Sequence, residues 1–117
     1  MSYEEKNAKI KRVSLAIEDH GILTAWLELD YNSGGQGFGG YALDEYDPNK
    51  KCRVGHAFGT EFILRVLTTL GVDSWEKLPG TSCRVRAEHS KVHSIGHYLK
   101  DVWFSPAEVA RKFFPKD

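Results

Sequence analysis

Five of the nine residues in Asn32-Ser33-Gly34-Gly35-Gln36-Gly37-Phe38-Gly39-Gly40 are glycines. Backbone N–H groups unshielded by Cβ atoms can converge on phosphate oxygens, so Gly34, Gly35, Gln36 and Phe38 are candidate ligand contacts. The run lacks the Gly-Lys-Ser/Thr ending of a Walker loop. A strand rather than a helix is expected after it, so the dinucleotide-binding fingerprint is also missing. The competing reading is a glycine-relieved bulge in a twisted strand.

Arg84 and Arg86 alternate onto one strand face, with Lys91 close in sequence. Their flat guanidinium forks suit phosphate contacts and purine stacking, although a solvated face paired with Glu88 needs no ligand at all. His89, His93 and His97 recur every four residues and carry zinc-binding chemistry. In a straight strand they would span about 26 Å, too far to share one ion unless a turn near Ser90-Lys91 folds the segment. Cys52 near His56 reads as a loop thiol beside a helix start rather than an activated nucleophile. Of the aromatic residues, Trp75 and Trp103-Phe104 lie beside turns and are the rings expected to be reachable for stacking. Nothing in the chain assembles a convincing catalytic site.

The elements that would hold these residues follow from periodicity. Residues 1–8 are polar and aperiodic and read as a flexible lead-in; residues 9–117 form a single domain. Val13, Leu15 and Ile17 alternate with polar positions in a strand, and Asp19-His20-Gly21 turns the chain into a second one. On that second strand Trp26 falls on the wet face. After the glycine run a third strand is expected at Tyr41-Ala42-Leu43, and residues 44–54 read as a polar loop. His56 to Leu70 carries a helical repeat stopped by Gly71. Asp73-Ser74-Trp75-Glu76 has the form of a capping box opening a short turn. Residues 83–88 and 92–99 read as paired strands, and Ser105-Pro106-Ala107-Glu108 opens a short final helix. The expected fold is α+β, with an antiparallel sheet of about five strands in the order β-β-β-α-β-β-α and the helices on one face.

Sixteen basic and sixteen acidic side chains give a net charge of zero, which excludes a global field for DNA or an anionic membrane. No apolar run is long enough to span a membrane, and the first residues lack the apolar core of a signal peptide. A cytoplasmic protein with reduced Cys52 and Cys83 is the expectation.

Taken together, Glu18-Asp19-His20-Gly21-Ile22-Leu23, the segment Gly35 to Tyr41, Gly71-Val72-Asp73-Ser74-Trp75-Glu76, and His89 to His97 followed by Lys100-Asp101-Val102-Trp103-Phe104 resemble the phage anti-Thoeris sponge family. The resemblance spans residues 9–104. It implies a non-enzymatic protein that sequesters cyclic nucleotide immune signals, chiefly cyclic ADP-ribose isomers and in some members cyclic di- or trinucleotides. It further implies homodimers that assemble into hexamers and action in the host bacterial cytoplasm; no cofactor and no metal are expected. On this reading Asn32, Gly34, Arg65 and Ser90 would donate to phosphate and base edges, while an aromatic ring and Arg84 or Arg86 clamp an adenine. Trp75, His93 and Trp103 complete the expected ligand-binding set. Val102 departs from the family pattern, which has a basic residue there. The alternatives are a phage structural or interaction module without a small ligand, and a nucleotide hydrolase using His89, His93 and Asp101.

Overall fold

The computed structural model describes residues 3–114 and is α+β. Its main sheet is antiparallel and six-stranded, built from β1 (Glu4–Glu18), β2 (Ile22–Asp30), β3 (Gly35–Gly39), β6 (Ser82–Ala87), β7 (Val92–His97) and β8 (Trp103–Phe104) in the order β3-β2-β1-β6-β7-β8. Two further strands, β4 (Asp44–Asp47) and β5 (Cys52–Gly55), make a separate hairpin. The helices are α1 (Ala57–Leu70) and α2 (Pro106–Phe113). Strand number and order therefore differ from the five-strand expectation.

Each departure has a local cause. The glycine run is itself strand β3, and Tyr41-Ala42-Leu43 is not a strand, because the backbone of β2 recruits the glycines before the chain leaves the sheet. The 44–54 segment folds back as β4–β5, held by the Arg53–Asp44 ion pair at 2.8 Å. Residues 4–8, expected as lead-in, extend β1 and pair with β6, because Ala8 and Ile10 are buried on the sheet's inner face. Met1 and Ser2 of that lead-in, and residues 115–117 of the expected domain, lie outside the described residues.

Helix α1 is as the periodicity predicts. His56 caps it, accepting the Gly59 N–H on Nδ1 at 3.0 Å, and Gly71 ends it in the left-handed region. The expected capping box at 73–76 and the expected Ser105 cap are not made: neither Ser74 nor Ser105 caps through its side chain, and the Ser105 hydroxyl instead bonds Ser94 at 2.6 Å. Phe62 of α1 fills the core between Phe38 of β3 (5.9 Å between ring centres) and Phe104 of β8 (5.5 Å). Burying three such rings is worth several kcal/mol, and their contact curls the sheet so that edge strand β3 approaches β7. No helix among the described residues is long and apolar enough to cross a membrane.

Candidate functional site

The β2–β3 turn is compact. Tyr31 N–H bonds the Gly34 carbonyl at 2.8 Å, and Asn32 takes a positive φ of 80° with its N–H on the Asp30 carboxylate at 2.9 Å. Below the turn the first third of β1, Glu4 to Ala8, has no β2 partner, since that pairing begins at Lys9–Asp30. A cleft of about 540 Å³ results, lined by Lys6, Asn7, Tyr31, Ser33, Gly34, Gly35, Gln36 and His89. That volume is in the usual range for small-molecule sites.

Gln36 ties the cleft together. Its Nε2 donates to the carbonyls of Glu88 (3.0 Å) and His89 (3.1 Å), and its Oε1 accepts the Tyr31 hydroxyl at 2.7 Å. All its polar capacity but one lone pair is engaged, so Gln36 is a buttress rather than a free ligand donor. Burial, with a smaller push from the Cys83 thiolate, raises the Tyr31 phenol to about 12, so it stays a neutral donor. The Lys6 ammonium stands 4.8 Å from the centre of the Tyr31 ring. The lining thus offers an ammonium, an amide, a hydroxyl, an imidazole and two glycine backbones, with no carboxylate among them.

A second group sits one strand away on the outer face of the sheet. Trp103 lies on Gly96, where a Cβ would come within 2.6 Å of the indole. The guanidinium groups of Arg86 and Arg84 stand 3.9 Å and 4.9 Å from the ring centre. Arg84 is already satisfied by the carbonyls of His97 (2.9 Å) and Lys100 (2.8 Å) and by Glu5 (3.3 Å), whereas Arg86 has only a 3.7 Å approach to Glu5. The two groups adjoin, since Asn7 and Glu5 of β1 are the register partners of Arg84 and Arg86.

Gly34, Gly35 and Gln36 therefore meet in the cleft, Asn32 and Ser90 occupy its flanking turns, and Arg84, Arg86 and Trp103 form the neighbouring face. Phe38 is fully buried against Phe62 and Phe104, so it is core and presents no ring to a ligand. Trp75 is half-buried and packs on the core. Arg65 pairs with Glu61 at 3.3 Å and lies near the Phe104 ring, outside the cleft lining. His93 contacts Glu88 at 2.5 Å and stacks on Tyr3, while His97 Nδ1 accepts the N–H groups of Leu99 and Lys100. His93 and His97 thus serve separate local contacts while His89 lines the cleft, and no trio of His, Cys, Asp or Glu among the described residues is placed to hold a metal.

Lys6, Asn7, Tyr31 and Ser33 were not among the sequence candidates. Two of them lie in the stretch read as lead-in, where the alternation of Lys6, Ala8 and Ile10 was the available signal. Comparison with protein-family models, with curated proteins and with solved structures finds no match to this chain.

Proposed function

We propose that this protein binds and sequesters a small phosphate-bearing cyclic nucleotide, of the cyclic ADP-ribose type or a cyclic di- or trinucleotide, without turning it over. The observation that carries this reading is the carboxylate-free, donor-rich cleft around Lys6, Asn7, Ser33, Gly34 and His89. An anionic phosphate is favoured by several neutral donors and by the Lys6 ammonium, which it would draw from a 3.6 Å approach to the exposed Glu4, and no lining carboxylate repels it. Arg86 and Trp103 beside the cleft add a flat cationic surface suited to a purine. One imidazole without an acidic partner in the lining favours retention over acid/base turnover. The likeness to anti-Thoeris sponges supports the same ligand class and self-association into dimers and hexamers, hence a role in blocking bacterial anti-phage defence.

A second reading has one specific observation behind it. Gly37 and Gly40 make room for the Trp26 indole, and Cβ atoms at Gly35 and Gly39 would strike β2 carbonyls at 2.3 and 2.2 Å. Packing alone explains these four glycines, as an interaction module would require. Thermal melting with a panel of cyclic nucleotides separates the two readings, because a ligand at a hundred times its Kd adds about 2.7 kcal/mol. Absence of any shift favours the interaction module. Heat-released ligand is expected intact by mass spectrometry, and a cleaved product would establish a hydrolase instead.

A further inference from the structure

β1 is paired along both edges only where its two partners overlap, around Lys9 and Ile10. Glu4 to Lys9 pair with β6, and Ile10 still exchanges backbone bonds with Thr81 (2.9 Å) and Gly80 (2.7 Å). From residue 12 to residue 18 the β2 side is paired, but among the described residues no backbone group takes the opposite side. The side chains there are exposed apart from half-buried Val13, with Leu15 at 47% and Ile17 at 72%. An open edge of this kind is a template for another strand, and proteins usually blunt it with proline, inward charge or a covering loop. Val13-Ser14-Leu15-Ala16-Ile17 has neither proline nor charge.

We propose that this edge is the contact surface for a second copy of the chain, joined by antiparallel β1–β1 pairing about a twofold axis at Leu15. An antiparallel ladder between identical strands is self-complementary under a twofold axis. The two sheets present the same face only if Val13, Leu15 and Ile17 meet their own kind. A register centred nearer the chain start drives the partner's Glu18 against the covered Ile10, and one centred further along shortens the ladder. Centred on Leu15, Val13 faces the partner's Ile17, Leu15 faces the partner's Leu15, and Arg12 faces the partner's Glu18. Arg12 already holds Glu28 at 2.9 Å, and neighbouring Lys11 supplies a second positive charge, so the incoming carboxylate meets a balanced cluster. On the inner face the same row borders an apolar groove of about 450 Å³ between the β1–β2 hairpin and α1, where Leu64 is 51% exposed. This surface deepens the self-association in the proposed function and depends on no ligand.

Sedimentation velocity on the full chain tests it. The chain is expected to dimerise, and Leu15→Lys, which sets two ammonium groups against each other at the axis, should raise the dimer Kd about thirtyfold or more, the scale of an interface hot spot. Arg12→Glu and Glu18→Arg should each weaken the homodimer about tenfold by facing like charges twice. Mixing those two variants should restore a heterodimer, because both positions then pair opposite charges. Unchanged circular dichroism and melting would show that each variant remains folded. A monomer at every concentration, a dimer indifferent to Leu15→Lys, or a mixture no tighter than its components would each overturn the proposal. Nucleotide titrations on the same samples score the ligand reading separately, since a dimer that binds no nucleotide upholds this surface while failing that reading.

Discussion

Trp26 and Trp103 both lie on the outer face of the sheet, and both rest on glycine. Trp26 covers Gly37 and Gly40 on the edge strand side, where added Cβ atoms would come within 3.1 and 2.4 Å of its ring; Trp103 covers Gly96 near the opposite edge at 2.6 Å. The surroundings differ. Trp103 carries two guanidinium groups against its ring and donates from Nε1 to Asp101 at 3.2 Å, whereas Trp26 is 40% exposed and borders a hollow of about 280 Å³ lined partly by Arg12, Ser14 and Glu28. In both places glycine is a seat for an indole. The glycine-rich run therefore divides in function: Gly37 and Gly40 hold Trp26, while Gly34 and Gly35 shape the cleft.

The sharpest way to break the contrast is Gly96→Val. Gly96 is buried beneath Trp103, so the new side chain must displace the indole and its two arginines, and unfolding by urea should show a loss of about 2–3 kcal/mol with altered tryptophan emission. Gly40→Ala should cost less, about 1–2 kcal/mol in the same assay. Its φ of 80° penalises any side chain, but the half-exposed Trp26 can swing away. A value for Gly40→Ala larger than for Gly96→Val would mean that Trp26 is the more tightly held ring. Arg86→Gln should lower stability by about 0.5–1 kcal/mol and, on the proposed function, weaken nucleotide binding by titration calorimetry, while Arg12→Gln beside Trp26 leaves binding unchanged.

Titration sharpens the comparison from the other side. Burial holds the Tyr31 phenol up at about 12 and the Cys83 thiol at about 12, against ordinary values of 10.0 and 9.0. Below those ordinary values the contribution of each group is complete and does not change with pH. As pH rises through them the unfolded chain ionises first, so stability falls until the folded values are reached. Melting temperatures should decline from about pH 9 to 12, and Tyr31→Phe should flatten the portion above pH 10 even though it removes the bond to Gln36. Asp44 behaves in the opposite sense: its hydrogen bonds from Arg53, with a smaller one from Leu23, hold it below the usual carboxylate range despite partial burial. Its contribution is complete at neutral pH and is lost as acid protonates it, so Asp44→Asn should flatten the acid limb of the melting profile.

Much of the α+β scaffold was legible because its signals are local. The α1 repeat and its Gly71 stop depend on neighbours three and four residues apart, and the wet face of Trp26 follows from strand alternation. β3 was not legible as a strand, because glycine is poor in strands until a distant residue such as Trp26 supplies the reason for it. The β4–β5 hairpin was hidden in a polar segment whose organising contact is the Arg53–Asp44 pair. The cleft was half visible. Gly34, Gly35 and Gln36 stood out by composition, but Lys6 and Asn7 join them only because β1 runs on beyond its β2 partner.

Gln36 has a consequence beyond shaping the cleft. By reaching from the edge strand β3 to the turn between β6 and β7, it stitches together parts of the sheet that strand order keeps far apart. That tie fastens the edge strand β3 to the far side of the sheet. Amide protons of β3 and of the 88–91 turn should then exchange with solvent in a single cooperative opening, and Gln36→Ala should split that event into two with different protection.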